Sequence, residues 1–273
     1  MQVGIFAKTY PGTDPLEVLT RAAADGYACV QYNLACSGLA SMPDAVSEEA
    51  VEAIATATRA TGVRIAALSA TYNMIHPDHA RRIEGMRRLG VCLKVAACLA
   101  TPVVTLCTGT RDREDQWRHH PDNDTAEAWR DLVEQMAAAA EQADTLGIRL
   151  GIEPEQANVV RNADDAVRLM REIGSPSLGI VLDPANLFEK ADADGARAIV
   201  ADAIDRLAGH IVMAHAKDRD AEGRFVTAGR GVIDFPDFIR RLDIAGFDGP
   251  VVTHGLSEQE APDVRRFLAR LIA

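Results

Sequence analysis

Four apolar runs in the second half of the chain stop abruptly at side chains that can ionise. LGIEPEQAN, from Leu150 to Asn158, stops at Glu153 and Glu155, and LGIVLDPAN, from Leu178 to Asn186, stops at Asp183. IVMAHAKD, from Ile211 to Asp218, stops at His215, and PVVTHGL, from Pro250 to Leu256, stops at His254. Short apolar runs bounded by turn residues are what strands buried on both faces look like. Alternate residues of a strand share a face, so Gly151, Glu153 and Glu155 fall on one side, with Gly151 leaving room near the two acids. A Glu, an Asp and two His, each at the C-terminal end of a buried strand, are the feature any fold must accommodate.

The rest of the chain repeats the same rhythm. Strands are expected at residues 2–7, 29–33, 64–69 and 103–107, ahead of the four above. Helices are expected at 14–25, with Pro15 in the first turn, and at 47–61, with Ser47 as cap and Gly62 as stop. Further helices are expected at 78–99, from a capping box of Asp124 and Glu127 to Thr145, and at 163–173, 192–207, 236–245 and 260–271. Eight strands alternating with eight helices imply parallel strands in an α/β fold. A closed (β/α)8 TIM barrel is favoured over an open doubly wound sheet. Eight units of roughly 30 residues fit a single domain over residues 1–273. Only a closed barrel also brings the ends of the last four strands round one mouth. No GxGxxG follows the first strand and no GxxxxGK[ST] occurs, so nucleotide-binding folds lose support.

Composition narrows the partners. A net charge of −11 argues against nucleic acid and against an anionic membrane surface. No run approaches the roughly 18 apolar residues of a membrane-spanning helix. The opening MQVGIFA reads as a strand, without a basic leader or signal core, so a cytoplasmic protein is expected. Cys29, Cys36, Cys92, Cys98 and Cys107 are odd in number and contain no CxxC pair, which points to reduced thiols, mostly buried. The expected partner is a small molecule, and a homo-oligomer stays open.

Carboxylates and imidazoles together suit a divalent ion such as Mn, Zn, Fe or Co better than Ca, which prefers an all-oxygen shell. Each residue alone has a plainer explanation: Asp183-Pro184 is equally a turn, and a single buried His is more often just a satisfied polar group. Four at strand ends favour a shared site, because active sites of barrels occupy that face. Lys217, on the same face as His215, is open between holding a substrate oxygen and lying solvated at the surface. Tyr72, His76 and Trp117, on the loops after the third and fourth strands, are candidates for walls of a substrate site. The polar, aperiodic segment 108–124 is expected to cover the mouth as a mobile lid. Gly229 to Gly231 is too slight a signal to specify a phosphorylated substrate.

EPE at 153–155, DPANL at 183–187, HAKD at 215–218 and GRGVIDF at 229–235 resemble the xylose-isomerase-like TIM-barrel superfamily, closest to its sugar epimerases and inosose dehydratases. The resemblance covers essentially the whole chain and is strongest from residue 147 onward. It implies a metal-dependent isomerase or epimerase acting on a sugar, polyol or keto-sugar through an enediolate. It also implies a Mn, Zn, Mg, Co or Fe ion held by Glu153, Asp183, His215 and, where the family has Glu, His254. Asn186 stands where the family often carries a substrate-contacting His. Catalysis is then expected from Glu153, Glu155 and His254, and substrate contacts from Tyr72, His76, Trp117, Asn186 and Lys217. His254 is either fourth ligand or acid/base. The alternatives are a lyase that dehydrates a keto-cyclitol or related polyol, and a barrel that binds sugar or metal without turnover.

Overall fold

A computed structural model describes residues 1–272. Eight parallel strands close into a barrel: β1 (Gln2–Phe6), β2 (Cys29–Tyr32), β3 (Arg64–Ser69), β4 (Val103–Leu106), β5 (Arg149–Ile152), β6 (Leu178–Leu182), β7 (Ile211–Ala216) and β10 (Pro250–Thr253). They neighbour one another in chain order, with β10 closing onto β1. Two further strands, β8 (Asp218–Arg219) and β9 (Phe225–Val226), form a small antiparallel hairpin above β7. The helices are α1 (Pro15–Ala24), α2 (Glu48–Thr61), α3 (His79–Cys98), α4 (Ala126–Leu146), α5 (Ala163–Ile173), α6 (Ala193–Leu207), α7 (Phe235–Ile244) and α8 (Ala261–Ile272). No helix among the described residues is long and apolar enough to cross a membrane.

The strand periodicity separates two cores. One face of each strand meets the helices in the main apolar cluster, with Ile5, Val30, Leu68, Val104, Leu150, Ile180 and Ala214 among its members. The other face fills the barrel lumen through Ala67, Val103, Val181, Met213 and Val252. At 151 the lumen has no room for a side chain: a Cβ there would lie 2.7 Å from a Val181 methyl. This inward parity aims the site. Two residues on from Gly151, Val181, Met213 and Val252 stand Glu153, Asp183, His215 and His254, so a period of two carries all four toward the axis at the C-terminal mouth.

Local chemistry sets the helix ends. Asp14, Ser47 and Asp78 cap α1, α2 and α3 by accepting backbone N–H bonds. At α4 the expected cap is displaced by one residue. Thr125 is extended and its hydroxyl accepts from Ala128 N. Asp124 instead ends a short 3-10 turn and pairs with Arg161 at 2.8 Å.

Hydrogen bonds fix the fold of the segment 108–124. Asn73 accepts from Thr110 N at 3.0 Å and donates to Thr110 O at 2.8 Å. Asn123 accepts from Arg111 N, and Arg118 forks onto Asp112 at 2.7 and 2.9 Å. The loop after β7 is organised by Asp218, whose carboxylate accepts from the backbone N–H of Arg219, Gly229, Gly231 and Ile233. Gly229 and Gly231 therefore spend their amides on Asp218, leaving neither free to cradle a phosphate.

A candidate metal centre at the barrel mouth

Glu153, Asp183 and His254 each follow immediately on the last residue of a barrel strand, and His215 is the penultimate residue of β7. One donor atom from each lies within 4.8 Å of every other. His215 Nδ1 is 3.3 Å from Glu153 Oε1 and 3.6 Å from Asp183 Oδ2. His254 Nε2 is 3.1 Å from the same Asp183 oxygen. Asp183 is fully buried and His215 nearly so. Asp183 forms the turn and joins the cluster at once: Oδ1 accepts from Ala185 N at 2.9 Å, while Oδ2 faces His254.

The electrostatics are those of charges crowded out of water. Burial alone would raise both carboxyls. His215 nevertheless holds Glu153 below its ordinary value, and Lys217 with the two imidazoles holds Asp183 well below its own. Burial opposes charge on His215, but Glu153 and Asp183 outweigh it and push the imidazole up to about 9. His254 goes the other way, lowered by burial and then by His215, whose ring centroid is 4.4 Å away. Glu155, half-buried just outside this set, is raised to about 7 by burial and by Glu153.

Asn186 and Lys217 join the cluster directly. Asn186 Nδ2 donates to Glu153 Oε1 at 2.7 Å, and its Oδ1 accepts from Lys217 Nζ at 2.8 Å. Lys217 also pairs with Asp183 at 3.1 Å and lies 4.1 Å from the centroid of the Phe225 ring. It is buried, which decides against a solvated surface lysine.

Tyr72, His76 and Trp117 line a cavity of about 640 Å³ between the loops after β3 and β4, whose lining does not include the four-residue cluster. No hydrogen bond joins them to the four-residue cluster among the described residues. Tyr72 packs its ring on α3, where a Cβ at Gly85 would come within 2.1 Å of it, and its buried hydroxyl has no partner. His76 has both ring nitrogens engaged, Nδ1 accepting from Asp78 N and Nε2 facing Arg113 O. It fastens the loop after β4. Trp117 is half exposed.

Sequence reading missed Gln31, whose Oε1 is 2.8 Å from His215 Nε2, and the aromatic neighbours Phe6 and Phe225. The signal for Gln31 was a lone amide inside the apolar run CVQY, every residue of which is buried.

The donor set fits a divalent cation. Ligands about 2.0–2.2 Å from one ion lie at most about 4.4 Å apart, so small side-chain movements close this group on an ion. Two imidazole nitrogens and two carboxylate oxygens suit Mn, Fe, Co or Zn.

Comparison with known proteins agrees in fold. The family described as xylose isomerase-like TIM barrel matches residues 19–271. A ketose 3-epimerase of Arthrobacter globiformis is 31% identical over 134 residues, which are 47% of this chain and 43% of that protein. The aligned stretch thus spans less than half of the curated relative. The crystal structure of 3-keto-D-glucoside 4-epimerase from E. coli superposes with a TM-score of 0.78 at 14% identity, covering 99% of both chains. L-ribulose 3-epimerase superposes with a TM-score of 0.77 at 16% identity, covering 99% of this chain and 94% of that one.

Proposed function

Because the chain belongs to the xylose isomerase-like TIM-barrel family, we propose that it is a metal-dependent isomerase or epimerase of a keto-sugar or related polyol. The observation that carries this is the convergence of Glu153, Asp183, His215 and His254 at one mouth. These four would hold the ion. When bound, a divalent ion polarises the substrate carbonyl and stabilises negative charge building on its oxygen.

The chain's own groups move the protons. Glu153 would help hold the ion, and Glu155 is the carboxylate left beside it to take the proton from the carbon next to the carbonyl. The C–H electron pair becomes the new C=C bond, and the carbonyl π pair moves onto oxygen, giving an enediolate. Return of a proton to the opposite face of the same carbon gives the epimer. Return to the former carbonyl carbon, with the hydroxyl proton lost, gives the isomer. Lys217, held by Asn186 and Asp183, would donate to a substrate oxygen.

His254 supports a second reading. Where the resemblance implies Glu, an imidazole leaves the mouth one carboxylate short of a two-carboxylate epimerase. A lyase needs only one such base: the same proton is removed, the β C–O bond breaks, and the departing hydroxyl takes a proton and leaves as water.

The test is solvent exchange. Purified protein with Mn²⁺ or Co²⁺ in D₂O is incubated with D-fructose, D-psicose, D-tagatose, L-ribulose and a 3-keto-glucoside, and the carbon-bound hydrogens are followed by NMR. Deuterium at the carbon next to the carbonyl, with a new epimer or isomer, is the expected result. An unsaturated or dicarbonyl product selects the lyase. Substrates that bind without exchange overturn catalysis and leave a binding barrel.

A further inference from the structure

Behind the ligand cluster a hydrogen-bonded chain crosses the lumen. His215 on β7 presents Nδ1 to Glu153 and Asp183 and turns Nε2 the other way, to Gln31 Oε1 on β2, 2.8 Å off. The Gln31 amide donates in turn to Thr105 Oγ1 on β4 at 3.2 Å. β2 and β7 are separated by β1 and β10 round the barrel, so this contact is made across the interior. Gln31, Thr105 and His215 are all buried, so water competes poorly for these bonds.

We infer that Gln31 is the positioning residue of the metal centre: by accepting the Nε2–H of His215 it dedicates Nδ1 to the cation, and Thr105 anchors the amide from its other end. The inference rests on the metal-ion reading above.

The chemistry leaves little freedom. An imidazole that gives its Nδ1 lone pair to an ion carries its proton on Nε2. That proton needs an acceptor in a buried place, and the carbonyl oxygen of an amide is one. A flipped amide would set N–H against N–H and leave both unpaired, at a cost that burial makes full. Glutamine also differs from the carboxylate often found behind a metal-bound histidine. It orients the ring without adding a negative charge, just as His254 supplies a donor without one. Both choices leave more of the ion's positive charge for the substrate oxygen.

The test uses metal-free full-length protein titrated with Zn²⁺ alone by calorimetry, without substrate. Gln31→Leu should lower the affinity roughly 10–100-fold, the usual effect of losing a partner behind a metal ligand. Gln31→Glu, which restores an acceptor, should recover it. Nitrogen-15 histidine spectra of the Zn²⁺-loaded wild type should show His215 protonated on Nε2, with that proton protected from exchange in the wild type and exposed in Gln31→Leu. Thr105→Val removes only the hydroxyl at nearly constant volume and should lower affinity by a smaller factor; it decides the matter if Gln31→Leu fails to fold. Wild-type affinity in Gln31→Leu or Thr105→Val, or a proton on Nδ1 in the loaded wild type, overturns the inference alone. A wild type that takes up neither Zn²⁺ nor Mn²⁺ overturns the metal-ion reading and this inference with it.

Discussion

His254 Nε2 and Asp183 Oδ2 lie 3.1 Å apart, although 71 residues separate them and they follow strands on either side of β7. That contact puts His254 inside the cluster of candidate ligands rather than on its rim. His254→Ala should therefore weaken metal binding by more than the roughly 10–100-fold expected for a supporting partner. Metal content of purified protein after dialysis against a weak chelator checks it. Full occupancy in the variant would make His254 an acid/base instead of a ligand.

On the proposed function, Glu155 is where binding and chemistry come apart. Its carboxyl stands beyond the converging donors, half-buried and raised to about 7 by burial and by Glu153. Glu155→Gln keeps the shape and removes the carboxylate proposed as the base. The expected outcome is unchanged metal content with turnover of a responding keto-sugar reduced by about 10²–10⁴, the range for losing a positioned proton-transfer group. Loss of metal in this variant would instead place Glu155 among the ligands.

The barrel and its four donors were legible because a buried parallel strand is written as an unbroken apolar run, and a polar residue ending that run marks the mouth. Gly151 before Glu153 and Val181 before Asp183 carry the inward parity in plain sight. The hairpin of β8 and β9 was not legible, since strands of two residues have no period to read, and Asp218 organises their surroundings through backbone N–H groups that leave no trace in side-chain pattern. Gln31 was hidden for a related reason. Its partner is 184 residues away, and only closure of the barrel brings the two together. Tyr72 and His76 read as candidate walls of a substrate site from their loop; what the loop did not show is that the ring of Tyr72 packs on α3 and that His76 engages both nitrogens with backbone.

The cysteines give a prediction with a definite sign in pH. All five are free, and only Cys98 is exposed. Burial pushes the thiols of Cys29 and Cys36 up to about 11 and that of Cys92 up to about 12, and raises Cys107 further. Iodoacetamide at pH 8 should label Cys98 alone in the folded protein and all five in urea, counted by mass spectrometry. Because these folded values lie above the unfolded ones, the folded state holds its protons longer. Their contribution is complete below about pH 9, the ordinary thiol range, and is lost as pH rises through 11 to 12. The urea midpoint should fall over that alkaline window, and Cys29→Ala with Cys36→Ala should flatten the fall.

Lys217 and Asp183 form the last testable pair. Asp183 is fully buried, and the ammonium 3.1 Å away is the largest of the influences that keep its carboxyl ionised against burial. Removing one partner of a buried ion pair leaves an uncompensated charge, a change that costs about 3–5 kcal/mol where nothing else answers it. Here His215 and His254 also face Asp183, so Lys217→Met should cost the metal-free protein less than that figure. A bound divalent cation supplies the missing positive charge. The loss of thermal stability should therefore be large without metal and much smaller with saturating Mn²⁺, and calorimetric melting of both forms measures the difference. Equal losses in the two forms would show that Lys217 acts through packing against Phe225 rather than through the charge on Asp183.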